Sequence, residues 1–203
     1  MQAIDGGAIE TPRLILDRLR ADDAAALYAY RADPAVARYQ GWIPADEAEA
    51  AAFIAAQAQQ PFDAPGWQQR AIRRRDDGEL LGDCGLRLPE STDEEAEFGV
   101  SLKPVQQRRG YAREAAAALI EQAFRTYGCR RIVASVDPRN AASLALCRSL
   151  GMRQEAHHRE RFYLRGEWVD DVIFALLVRE WPALKDAARA ESALRFDEPA
   201  VRR

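Results

Sequence analysis

A chain of 203 residues, 48% hydrophobic and 30% charged, is long enough to bury one sizeable core and short enough to be a single domain with a tail. Its 29 basic and 32 acidic residues leave a formal net charge of -3, which argues against a general nucleic-acid binder or a polybasic membrane adaptor. No apolar stretch approaches the ~18–20 residues needed to cross a bilayer, and the opening MQAIDGGAIETPR lacks the basic and apolar regions of a secretory signal. Cys84, Cys129 and Cys147 are far apart and form no CxxC pattern, so a reducing cytoplasm and no structural metal are expected. His157 and His158 are adjacent and would point to opposite faces of a strand, which disfavours a zinc site.

Thr11 to Arg20 alternates apolar and polar residues, with Leu14 and Leu16 on one side, and reads as a strand. Asp22 or Asp23 can cap a helix through 24–32 that stops before Pro34. A second helix should start near Asp46 and run through an alanine-rich segment to Pro61. Segments 67–74 and 80–88 flank Asp76-Asp77-Gly78, a hairpin turn in which glycine accepts positive φ. Residues 94–102 form a further strand, with Phe98, Val100 and Leu102 on one face.

Small or apolar side chains at Ala112, Ala116, Leu119, Ile120, Ala123 and Tyr127 recur at helical spacing, and Gly128 ends that helix. Residues 132–136 make a short buried strand, and Asn140 then caps a helix closed by Gly151. Strand, helix, strand in this order puts 94–102 and 132–136 parallel. Two last strands, 155–164 and 168–178, turn at Arg165-Gly166-Glu167. The expectation is one α+β domain over 1–180, with a mixed, mostly antiparallel sheet of about seven strands, and a helical or partly disordered tail at 181–203.

Chemistry concentrates between the parallel strands. From Lys103 to Arg113 there are four basic residues and no acidic one, leading directly into a helix N-terminus whose first amides lack partners. Gly110 lets a ligand approach the backbone, Ala112 keeps the next turn open, and Arg108, Arg109 and Arg113 add cationic reach, which together suit a pyrophosphate. A plain helix start carrying surface arginines is the competing reading. The spacing fits neither the P-loop nor the dinucleotide fingerprint.

With Asn140-x-x-Ser143 following the next strand, the sequence resembles the GNAT acyltransferase superfamily. Gln107-x-x-Gly110-x-Ala112 is similar to its acetyl-CoA pyrophosphate loop, and Asn140-x-x-Ser143 with Leu150-Gly151-Met152 is similar to its following helix. Thr11-Pro12-Arg13-Leu14, Asp33-Pro34 with Trp42, Leu81-Gly82-Asp83-Cys84-Gly85 and Glu97-Phe98-Gly99-Val100 resemble the subfamily of ribosomal-protein alanine N-terminal acetyltransferases, the RimJ/RimL type. The resemblance implies direct transfer of an acetyl group from acetyl-CoA to a primary amine, a protein N-terminus or a small amine, in a ternary complex without a metal. It implies two central strands that splay, backbone near Val100 and Leu102 pairing with the pantetheine, and a phosphate cradle drawn from Gln107, Arg108, Arg109, Gly110, Tyr111, Ala112 and Arg113. Asn140 would meet the pantetheine arm, or serve only as an N-cap.

Glu97, Ser143 and Cys147 compete for proton chemistry. Glu97 would be a base or a solvated carboxylate; Ser143 would bond the departing thiolate or its own helix turn. Cys147 stands where many family members carry a tyrosine acid; the competing reading is a buried small side chain that only packs. Asp170 and Asp171 could orient the amine or mark a turn edge. Tyr39 and Trp42 would border the acceptor. Residues 43–66 contain four acidic and no basic residues, which suits a cationic acceptor or a solvated helix face. The expected partners are acetyl-CoA and an amine, with no nucleic acid and no membrane, and a homodimer is compatible with such a domain. A non-catalytic acyl-CoA sensor and an unrelated nucleotide-binding protein are the alternatives.

Overall fold

The structure is a computed structural model that describes residues 7–90 and 95–181. One eight-stranded sheet forms the frame, in the order β1-β2-β3-β4-β5-β6-β8-β7. The strands are β1 (Ile9–Glu10), β2 (Leu14–Asp17), β3 (Gly66–Arg74), β4 (Leu80–Leu88), β5 (Ala96–Leu102), β6 (Arg131–Val136), β7 (Arg153–Leu164) and β8 (Glu167–Leu177). The helices are α1 (Ala24–Arg31), α2 (Pro34–Ala37), α3 (Glu47–Ala58), α4 (Tyr111–Arg125) and α5 (Ala141–Ser149). This is the α+β architecture the sequence implies, with the two-residue β1 as the eighth strand. Too short to carry alternation, β1 has no pattern to reveal it. Nor does α2, a single turn that starts at Pro34, where proline is tolerated because the first amide of a helix has no partner. The expected tail lies, from residue 182 onward, outside the described residues.

Strand alternation sorts the core into two layers. Phe98, Ile132, Ala134, Val136 and Phe174 point to the face covered by α4 and α5, where they join Ala116, Ile120, Phe124 and Leu150. Ala71 and Leu80 point to the other face and meet Leu27, Tyr30, Ala50 and Ile54 of α1 and α3. Asp46 starts α3 by accepting a hydrogen bond from the Glu49 amide at 2.8 Å.

β5 and β6 form the sheet's one parallel pair among the described residues, and it is very short: Ala96 pairs with Ile132 and Glu97 with Val133. Beyond those positions β5 stays with β4 as far as Leu102, while β6 stays with β8 as far as Val136. Each strand follows its antiparallel partner, so the two edges diverge and a gap opens in the middle of the sheet.

Candidate active site

That gap is a cavity of about 540 Å³. Its walls include Val100, Ala134 and Val136, which face α4 and α5, and also Glu97, Gly99 and Ser135, which face the other way. Side chains from both faces line one space, so the cavity passes through the sheet.

On the α5 side, Asn140, Ser143 and Cys147 border the cavity. Asn140 is the N-cap of α5, and its Oδ1 accepts from the Ser143 amide at 3.1 Å, so the capping role is realised. Its side-chain NH2, the remaining donor group, is not used in that bond. Cys147 is buried, and burial pushes its thiol up to about 11.

Leu102 and the segment 103–113 are not among the residues that line the cavity; the segment continues from β5, whose Ser101 does line it. Gly110 is the N-cap of α4 with φ +81, and a Cβ there would sit 3.2 Å from Arg13 Nη2. The first backbone bond into α4 is donated by Glu114 to the Gly110 carbonyl, at 3.1 Å, so the amides of Tyr111, Ala112 and Arg113 precede the helical ladder. Gln107 turns its side-chain NH2 to the Leu102 carbonyl at 3.2 Å, and Leu102 itself is buried. Arg113 donates to the Ser149 carbonyl at 3.2 Å and links α4 to α5. Gln107, Arg108, Arg109 and Gly110 are exposed, with bare amides and two guanidinium groups held at one helix start. The geometry suits a polyanion lying against the backbone.

Sequence reasoning gave Arg13 no role, yet it fixes this loop. Its Nε pairs with Glu114 Oε2 at 2.7 Å, its Nη1 donates to the Arg109 carbonyl at 2.9 Å, and its guanidinium lies over the Tyr111 ring at 4.7 Å. Glu114 also accepts from the Thr11 hydroxyl and the Arg13 amide. Burial works against the Glu114 charge, but these hydrogen bonds outweigh it and hold the carboxyl below its ordinary value. About a hundred residues separate these partners, and no local pattern links them.

On the opposite side the wall is built from side chains. Tyr39 and Trp42 both line the cavity. The Tyr39 hydroxyl donates to the Arg139 carbonyl at 3.1 Å, and Trp42 stacks on Phe53 with ring centroids 4.4 Å apart. Beneath Trp42 lies a fully buried carboxylate, Asp83, which receives hydrogen bonds from Tyr30, Gln69 and both faces of the Arg31 fork. Arg31 and Gln69 reach the cavity wall. The sequence did carry a signal for this group: Arg31 falls at core spacing after Leu27 and Tyr30, and Asp83 interrupts a buried strand. Floor space comes from the paired glycines Gly85 and Gly99, with Trp67 over them; a Cβ on Gly85 would meet Gln69 Oε1. Glu97 borders the same space, and its Oε2 accepts from Arg87 across the strand pair at 3.2 Å.

A cavity that pierces a sheet at a splayed parallel pair, next in the chain to a glycine-led helix start, is a specific combination. Residues 13–153 match the family model described as an acetyltransferase (GNAT) domain. The chain belongs to the GNAT acetyltransferase family. It is 31% identical over 173 residues to p20, an uncharacterised N-acetyltransferase of Bacillus licheniformis, covering 84% of this chain and 96% of that protein. It is 32% identical over 84 residues to the [ribosomal protein uS5]-alanine N-acetyltransferase of Escherichia coli, covering 41% of this chain and 43% of that one. Among solved structures, Mycobacterium smegmatis RimJ in complex with CoA-disulfide shares the fold, with a TM-score of 0.76 at 21% identity over 88% of this chain and 89% of that one. Among the described residues no helix is long and apolar enough to cross a membrane, and no group of three or more His, Cys, Asp or Glu could hold a metal ion.

Proposed function

We propose that this GNAT protein moves the acetyl group of acetyl-CoA to a primary amine by direct attack within a ternary complex. The observation that carries this reading is the cavity through the sheet, lined by Asn140, Ser143 and Cys147 of the α5 side and by a polar, aromatic wall on the other, with the Gly110 loop continuing from β5. Acetyl-CoA, when bound, supplies an acyl group activated as a thioester. The amides from Arg108 to Arg113, ordered by Gly110 and flanked by Gln107, would hold its pyrophosphate, with Tyr111 packed under Arg13 as their support. Edge backbone at Val100 and Leu102 would continue the β5 ladder along the pantetheine, and the Asn140 side-chain NH2 would meet the same arm.

Ser143, which lines the cavity, would donate a hydrogen bond to the departing sulfur. Cys147 is a poor proton donor to it, because passing a proton from a thiol at about 11 to a thiolate of ordinary value near 8.5 is uphill by roughly 3 kcal/mol. Glu97 contributes negative field at the acceptor end, tempered by Arg87. Tyr39 and Trp42 would shape the acceptor's entry.

An α-amino group of pKa about 7.7–8.0 is roughly 10–20% neutral at pH 7, whereas a lysine amine near 10.4 is neutral less than roughly 0.1% of the time. Among the described residues no dedicated strong base lines the cavity, which favours an N-terminal acceptor. Free, buried Cys84, Cys129 and Cys147 fit work in a reducing cytoplasm.

Incubation with acetyl-CoA and a peptide beginning with Ala or Ser should release free CoA. No turnover across peptide, polyamine and aminoglycoside panels would sink the reading; acetyl-CoA binding without transfer would instead identify a sensor.

A further inference from the structure

β6 runs through the middle of the sheet, and of its six residues Ser135 alone is exposed, because the splay opens beside it. The Ser135 hydroxyl donates to Asp171 Oδ1 on β8 at 2.7 Å. Ser135 lies opposite Ile173, so Asp171, two positions along, is its diagonal neighbour on the same face. That face also carries Glu97, which pairs with Val133.

Among the described residues three carboxylates are buried: Asp23, Asp83 and Asp171. Asp23 is bound by Arg73, and Asp83 by Arg31. Asp171, only 4% exposed, is bound by a serine. Burying a carboxylate is costly without a cation or a full set of donors, and a single neutral hydroxyl leaves most of that cost standing. A hydroxyl that gives its proton to a carboxylate turns lone pairs outward, so toward the cavity Ser135 acts as an acceptor. An acceptor backed by a buried, unneutralised carboxylate suits a cation that carries N–H groups.

We propose that the Ser135–Asp171 pair receives the ammonium of the acceptor and takes the proton its nitrogen sheds during transfer. The inference rests on the acetyl-transfer reading. The docked ammonium loses one proton to cavity water, a step open to an α-amine near neutral pH. Its lone pair then forms the N–C bond to the acetyl carbon, and the C–S bond breaks with its electron pair on sulfur. The nitrogen proton passes to Ser135 Oγ as the Ser135 proton passes to Asp171 Oδ1. After product leaves, Asp171 returns its proton through Ser135 to water, and the thiolate takes one from solvent. Ser135 touches the substrate; Asp171 acts through it as a positioning residue.

Other charges face Asp171. β7 sets His158 opposite it in register. The end of β6 brings Asp137, chelated by Arg139 at 2.7 Å and within the field of Arg38. Glu97, matched by Arg87, lies on the neighbouring strand, and Asp170, next in sequence, holds His157 at 2.7 Å. None of these places a guanidinium on Asp171.

The test uses the full chain with D171N, S135A, S135T and the S135A/D171N double variant. Calorimetry on protein preloaded with CoA should show an Ala-starting peptide binding about tenfold more weakly to D171N and S135A, with CoA affinity within about twofold of wild type. Acetylation kcat should fall about hundredfold in each, S135T should recover most of what S135A loses, and the double variant should be no worse than either single one. Wild-type peptide affinity and wild-type kcat in both D171N and S135A would overturn the relay alone. If D171N fails to fold, S135A decides by the same measures, since its side chain is small and exposed. No acetyl transfer by wild type to any amine overturns the parent reading and this one with it.

Discussion

The two mouths of the cavity are built by different means. On the α4–α5 side the groups proposed to bind are main-chain amides at a helix start, and side chains such as Arg13 and Glu114 hold the loop in shape. On the α1–α3 side the wall is made of side chains drawn from distant segments, with Arg31, Asp83 and Gln69 at its base. A backbone site needs a particular conformation more than particular side chains. A side-chain site can be rewritten residue by residue, and under the proposed function acceptor choice would belong there.

Breaking the acceptor wall should have the largest effect. Asp83→Ala leaves the buried Arg31 guanidinium uncompensated and should cost about 3–5 kcal/mol of stability, read from the urea midpoint. Replacing both partners with Met and Leu should recover most of it. A loss below about 1 kcal/mol for Asp83→Ala would mean that Arg31 finds water, and that the wall is softer than its burial suggests. On the other mouth, Gly110→Val puts a β-branched residue at φ +81 and a Cβ against Arg13. It should lower acetyl-CoA affinity about hundredfold by calorimetry, about 2.7 kcal/mol, while circular dichroism stays native.

Arg13→Ala keeps every amide and removes only their support, so a loss near tenfold in acetyl-CoA affinity is expected; no loss would mean that the loop holds its own shape. The Glu114 link adds a pH signature. Its folded carboxyl titrates below the unfolded value near 4.3, so its stabilisation is present above that pH and is lost as pH falls through the lower folded value. Melting temperature should therefore fall less steeply below pH 4.3 in Glu114→Gln than in wild type. Smallest of all, Cys147→Ala should leave kcat within about threefold, because a thiol at about 11 stays protonated throughout; a larger drop would restore it as an acid.

The same contrast governs what could be read from the sequence. Gly110, the run of bases around it and Asn140 before α5 are local patterns, and local patterns reach the reader as spacing. The parallel placement of β5 and β6 follows from the strand–helix–strand order. Arg13 with Glu114, Arg31 with Asp83 and Ser135 with Asp171 are pairs formed only when the sheet assembles. Arg13, Glu114 and Ser135 alone look like ordinary surface or capping residues, and Asp171 alone reads only as an amine-orienting or turn-edge carboxylate. Asp83 and Arg31 left a trace as charges at core positions, whereas Ser135 on a short apolar strand left none. Its significance comes from the splay, which has no sequence period.

The brevity of the β5–β6 pairing also has a mechanical meaning. Strands β1–β5 and β6–β8 are two half-sheets fastened to each other by rungs at Ala96–Ile132 and Glu97–Val133 and by the α4 layer. In the proposed complex, a pantetheine arm lying along the edge of β5 would supply rungs that the polypeptide itself omits. Loading the site would then suture that seam, and ligand concentration would set resistance to unfolding as well as occupancy.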